Sequence, residues 1–118
     1  MGTGPASDPE RGHLFVILTD TCQNGENLLV PICTIGTKYD NTCTLKAGEH
    51  EFIKHQSYAE YYRLQTYSVV VIQARVEKQI ILPKPPVSND VLTRLCEGVE
   101  KSPLTPLRQK KYYRAQQH

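Results

Sequence analysis

The sequence predicts an α+β domain: a small β-barrel or curled sheet in residues 13–82, followed by helices in 88–115. Three observations predict it. Short apolar, β-branched runs separated by turn signals fill the first half of the chain. Pro83, Pro85 and Pro86 then interrupt any regular structure. Beyond them, apolar residues recur at helical spacing. The 118 residues suit one domain, with little room for a second core.

Residues 1–12 are rich in Gly, Pro, Ser and charge and read as an irregular lead-in. His13 to Thr19 is a buried strand by its apolar, β-branched composition. The stretch 22–27 carries Asn24-Gly25, a strong short hairpin signal. Leu28 to Thr34 is a second apolar strand, and Pro31 within it argues for an edge position or a bulge. A turn cluster at 36–41 leads to an alternating third strand, Thr42 to Leu45, and then to a loop at 46–51. The aromatic content of 57–64 favours a strand over a helical turn. Residues 69–82 stay open: β-branched density indicates a strand, whereas 73–78 suits a short helix. Ser88 is a plausible N-cap. Val91, Leu92, Leu95, Cys96 and Val99 then share one helical face, and the helix ends at Ser102-Pro103. Thr105-Pro106 repeats the cap-plus-proline signal and starts a short basic helix from Leu107 to about Ala115.

No apolar run approaches membrane-spanning length, and 1–12 lacks the apolar stretch of a secretion signal, so a cytoplasmic protein with no membrane contact is expected. The net charge of +2 is unevenly distributed. Residues 1–100 hold nine Lys/Arg against twelve acids, a net −3, and the last eighteen hold five Lys/Arg and no acid. Such a tail suits either an anionic partner or a solvated helix face. The cysteines, Cys22, Cys33, Cys43 and Cys96, form no C-x-x-C and no zinc-finger spacing. Cys33 and Cys43 read as small buried hydrophobes.

The densest polar cluster runs from Glu49 to Tyr58, with His50, Lys54, His55 and Ser57. Its imidazoles titrate near neutrality and suit general acid–base work. A metal held by His50, His55 and Glu49 or Glu51 is disfavoured, because the spacing is not H-E-x-x-H. The plainer alternative has His55 and Ser57 bonding the loop's own backbone. Asp8, Arg11 and His13 precede the first apolar strand, and an Arg there suits bidentate phosphate binding. Thr34, at the end of the second, suits a phosphate oxygen or a turn cap. The chain has no phosphate-binding Gly-rich loop, no G-x-S-x-G and no dinucleotide fingerprint.

Residues 4–19, with Arg11-Gly12-His13 leading into Leu14-Phe15-Val16-Ile17, resemble the start of the PemK/MazF-like toxins. Leu29-Val30-Pro31-Ile32-Cys33-Thr34 is similar to the second apolar strand of that family. Ser57 to Leu64 is similar to its S-Y-V-x-x-D-Q-I-R stretch, and the helix from Ser88 to its C-terminal helix. Within the family, a branch of small bacterial and phage proteins shares H-L-F-V, D-H-P-F-I-x-H-x-S-Y and S-P-x-T-P, matched here at 13–16, 49–58 and 102–106. The resemblance implies an SH3-like barrel that cuts single-stranded RNA by attack of the ribose 2′-hydroxyl, with no metal or other cofactor. It implies catalytic roles for Arg11 or His13 and for Thr34, and the richer His loop adds His55. Asp8, His50, Lys54, Ser57 and Tyr58 are the expected substrate-binding residues. RNA is the expected substrate, with an antitoxin protein and a second copy of the chain as candidate partners. The alternative is a non-catalytic nucleic-acid-binding or protein-interaction module on the same barrel, using the tyrosines and the basic tail.

Overall fold

The computed structural model describes residues 4–8, 13–18, 25–78, 82–83 and 87–116, with the backbone alone for 4–8, 13 and 82–83. Their elements run β1 (Gly4–Asp8), β2 (His13–Ile17), β3 (Glu26–Thr34), β4 (Thr44–Leu45) and β5 (Ser57–Ala59), then a 3-10 turn (Tyr61–Arg63), β6 (Gln65–Ser68), α1 (Val69–Glu77), β7 (Leu82–Pro83), α2 (Asn89–Lys101) and α3 (Leu107–Ala115). The architecture is α+β, as expected. The sheet is antiparallel, in the order β4-β5-β3-β2-β1-β7, with β6 also on β3. Among the described residues β4 and β7 are its two ends, and no ladder joins them.

The lead-in expected at 1–12 contains a strand. β1 lies between β2 and β7, with Asp8 opposite His13. Gly, Pro and Ser are poor strand formers, so β1 owes its form to the edge of β2. Only Ala6 and Ser7 are paired on both sides, which leaves Pro5 outside the doubly paired part. At the next turn Gly25 takes φ 74°, which explains the glycine of the Asn-Gly pair.

β3 is central, so of the edge position or bulge that Pro31 suggested the edge does not hold, and the pairing is interrupted beside Pro31 instead. β2 lies on one side, and β5 and β6 follow one another along the other. In an antiparallel ladder a residue's N–H and C=O point to the same neighbour. The Pro31 carbonyl accepts from the Glu60 N–H at 2.9 Å, so the N–H that proline lacks faces this same side. The chain turns there into the three-residue 3-10 helix. Between the Ile32–Ala59 and Leu29–Gln65 pairs the register slips by those three residues. Over 57–64, where a strand was favoured over a helical turn, both form: β5 and then the 3-10 turn, with β6 following it.

Alternation along β2 and β3 builds a core on each sheet face. Val16, Leu28, Val30 and Ile32 join Val91, Leu95 and Val99 of α2 in the larger cluster. Ile17 and Leu29 meet Ile72 of α1 on the opposite face, with Phe15, Tyr67 and Val76 around them. The open segment 69–82 thus begins as a helix. Ser68 caps it by accepting from the Val70 N–H, and Ile72 with Val76 forms its inner face. Arg75 lies over the Tyr67 ring, 5.6 Å from its centroid.

The helix from Ser88 forms as expected, and the Ser88 hydroxyl accepts from the Val91 N–H at 3.2 Å. The second helix matches its expected range, yet Thr105 does not cap it. Thr105 is buried without a hydrogen-bond partner for its hydroxyl, and Pro106 occupies the cap position. Buried Ser102, at the end of α2, donates to Asp40, which also accepts from the Thr42 N–H at 2.9 Å. That contact ties the 36–42 turn to the helices. Among the described residues no helix is long and apolar enough to cross a membrane.

Candidate functional site

One end of the sheet collects most of the residues singled out in the sequence. β1 ends there at Asp8, β2 begins at His13, β3 ends at Thr34 and β5 begins at Ser57. Thr34 pairs with Ser57, Cys33 with Tyr58, and Asp8 with His13. The Leu14–Ile32 pair, one step inward, sets the start of β2 alongside the end of β3. Arg11 lies outside the described residues.

The two faces of this end differ. Thr34 and Ser57 belong to the face that carries α2. Thr34 is exposed, whereas Ser57 is buried and donates its hydroxyl to the His55 carbonyl at 2.8 Å. Ser57 is thus engaged with its own loop's backbone, the plainer role weighed for it. Lys54 and His55 are exposed in the connection leading into β5.

His50 stands apart from this group. It is buried, and its Nδ1 accepts from the Phe52 N–H at 3.2 Å, while its carbonyl accepts from the Ile53 N–H at 2.9 Å. With Nδ1 accepting, the neutral ring carries its proton on Nε2. Neighbouring Glu49 accepts from the Lys46 N–H at 2.7 Å and pairs with Arg94 of α2. Arg94 also donates to the Thr44 carbonyl at 3.2 Å and pairs with Asp90 at 3.1 Å. Of the polar cluster read from the sequence, Glu49 therefore anchors the turn to α2 and His50 closes the turn itself. Among the described residues no three His, Cys, Asp or Glu side chains gather where they could hold a metal.

The opposite face of the same end holds Tyr58, an expected substrate-binding residue, together with Glu60 and Arg63, to which the sequence reading gave no role. Cys33 donates its thiol to Glu60 Oε2 at 2.9 Å, and Arg63 Nε meets Glu60 Oε1 at 3.0 Å. The Glu60 side chain keeps only 19% of its exposure, against 62% for Arg63. Tyr58 stands beside Cys33, and Tyr39 packs against it with ring centroids 5.7 Å apart. Burial, reinforced by the Glu60 carboxylate, pushes the Cys33 thiol up to about 12, so it is a protonated donor and not a ready nucleophile. Burial and then the Glu60 charge also raise the Tyr58 phenol. Cys43 is the buried hydrophobe expected, and Cys33 is a half-buried donor instead. One signal was available in the sequence: Cys33 alternates with the apolar positions Leu28, Val30 and Ile32 along its strand.

The chain matches no family model, no curated protein and no solved structure.

Proposed function

We propose that the protein is a metal-independent endoribonuclease acting on single-stranded RNA at this end of the sheet. The observation that supports the reading is the convergence of Asp8, His13, Thr34 and Ser57 at adjoining strand ends, with His55 two residues before Ser57. A hydroxyl, imidazoles and an Arg in the β1–β2 connection are the groups such a reaction needs. A base takes the proton of the ribose 2′-hydroxyl, and the 2′-oxygen attacks the adjacent phosphorus. Cationic and hydroxyl donors stabilise the phosphorane, and the 5′-oxygen leaves with a proton from an acid. The products are a 2′,3′-cyclic phosphate and a 5′-hydroxyl. His13 and His55 serve as base and acid, and Arg11 and Thr34 serve the phosphate. This reading takes the sheet as an SH3-like barrel, supported by its consecutive antiparallel strands β1, β2 and β3. It takes the protein as cytoplasmic and restrained by an antitoxin.

The test is incubation of purified protein with single-stranded RNA in EDTA. Cleavage that leaves cyclic phosphate ends and falls at least about a hundredfold in His13→Ala and His55→Ala is the expected result. No cleavage, or equal cleavage by both variants, would overturn the reading.

A second reading, a nucleic-acid-binding module without turnover, has its own observation. The Ser57 hydroxyl and His50 Nδ1 are already committed to the backbone, and the Cys33 thiol is held protonated. Steeply salt-dependent binding of RNA without cleavage distinguishes it.

A further inference from the structure

The Cys33–Glu60–Arg63 chain lies on the sheet face away from α2, where α1 covers only the far half. Ile17, Leu29 and Tyr67 lie under α1, whereas Cys33, Tyr58 and Glu60 lie beyond it. A carboxylate as shielded as Glu60 loses solvation that must be replaced by partners. Glu60 has two, and each takes a different oxygen. Its ion pair with Arg63 is made at Nε, on the side edge of the guanidinium, and the end-on edge formed by the two terminal nitrogens is a separate one, on a side chain 62% exposed. The Tyr58 ring adjoins the carboxylate, the exposed Tyr39 ring packs on Tyr58, and Tyr62 next to Arg63 is 67% exposed. A fixed cation beside aromatic faces is the pairing that single strands use, with the phosphate on the guanidinium and the base on the ring.

We propose that Arg63, held by Glu60, binds a phosphate of a single-stranded RNA, and that Tyr58 and Tyr39 carry the adjoining base. This strip is a subsite for the nucleotide that flanks the cleaved bond, and it rests on the reading of the sheet end as an RNA site. Glu60 and Cys33 are positioning residues: they fix the guanidinium and touch no substrate. The strip meets the proposed reaction centre across the end of the sheet: Cys33 directly precedes Thr34 on β3 and lies on the opposite face.

The experiment uses the full chain and a fluorescent 2′-O-methyl octanucleotide pool, which lacks the attacking hydroxyl and cannot be cut. Binding is followed by anisotropy from 25 to 200 mM salt (about this range brackets the expected dependence). Arg63→Gln should weaken binding about tenfold at low salt and reduce the slope of log affinity against log salt by about 0.7. Arg63→Lys should restore the slope and only part of the affinity, because an ammonium lacks the fork. Tyr58→Leu and the more exposed Tyr39→Leu should weaken binding about tenfold with the slope unchanged. Thermal melts by circular dichroism identify any variant that fails to fold, and the two tyrosine variants substitute for one another. Unchanged affinity and slope in Arg63→Gln would overturn the proposal, as would no binding by the parent protein. If RNA is cleaved while Arg63→Gln binds normally, the strip fails and the ribonuclease reading survives. If Arg63 governs binding but RNA is never cut, the strip survives and the ribonuclease reading fails.

Discussion

Tyr61 and Gly98 occupy one shared space. The Tyr61 ring, fully buried in the 3-10 turn, lies against α2 and donates its hydroxyl to the Leu95 carbonyl at 2.7 Å. A Cβ at position 98 would fall on that ring. Glycine inside a helix costs about 1 kcal/mol relative to alanine, so propensity alone would favour Ala here. Gly98→Ala should nonetheless destabilise the protein by about 1–3 kcal/mol, because the ring has to move out of a packed core. Urea unfolding measures this, and a cycle with Tyr61→Ala should show strong coupling between the two positions. Independent effects would mean that the ring does not hold the turn against α2.

Cys33 should resist alkylation. A thiol pushed up to about 12 is almost wholly protonated at pH 8. Its reaction with iodoacetamide should be about a hundredfold slower, or more, than that of a free thiol. Mass spectrometry of the modified peptide reads the rate. The same shift has a signed consequence for stability. The folded-state value lies above the usual 9.0, so the contribution is complete below about pH 9 and is lost as pH rises toward 12. Cys43 and Cys96 are shifted upward as well, chiefly by burial, so the comparison needs Cys33→Ala beside the parent. The parent should lose stability more steeply between pH 9 and 11 than the variant.

Asp40 is a buried carboxylate that accepts from Ser102 and from Thr42. Ser102→Ala removes one donor and also the oxygen that accepts from the Leu104 N–H at 3.1 Å. A cost of about 1–3 kcal/mol is expected, read as a lower urea midpoint with an unchanged slope. A neutral result would show that the 36–42 turn holds its place without α2.

The basic tail can be tested without removing it. α3 packs on the core through Tyr112 and Tyr113, and Arg114 pairs with Glu100 at 2.7 Å. Deletion of 105–118 would therefore expose core as well as remove charge. Arg108→Gln, Lys110→Gln and Lys111→Gln together change charge alone. The triple variant should keep the parent melting temperature within a few degrees. If the tail is an accessory contact for RNA, the salt dependence of binding should become shallower. An unchanged slope would leave the helix as a solvated face.

The sequence carried the parts of this fold that rest on local periodicity and capping. Ser88, with the spacing of Val91, Leu95 and Val99, located α2 to within a residue, because cap and stripe agree. Where tertiary pairing overrides propensity, the signal was weak or misleading. Gly4-Pro5-Ala6-Ser7 is a strand only because β2 offers it an edge. The β-branched run Val69-Val70-Val71 is helical because Ser68 caps it and Ile72 finds a pocket against Ile17 and Leu29. At the candidate site, the strand-end residues Thr34 and Ser57 were legible from composition and turn signals. The Glu60–Cys33 contact joins residues 27 apart and depends on the register of β3 against β5, which no local pattern encodes. His50 shows the converse: a residue suited to chemistry serves as a backbone acceptor in a tight turn.

β3 contributes side chains to both cores and pairs with β2, β5 and β6. Neither hydrophobic cluster can come apart while the other stays whole unless this one strand changes partners. Cooperative unfolding follows from that shared strand. The amides of Leu28, Val30 and Ile32 should exchange with deuterated water only when the entire molecule opens, whereas those of α3, which buries no residue completely, should exchange through local fraying.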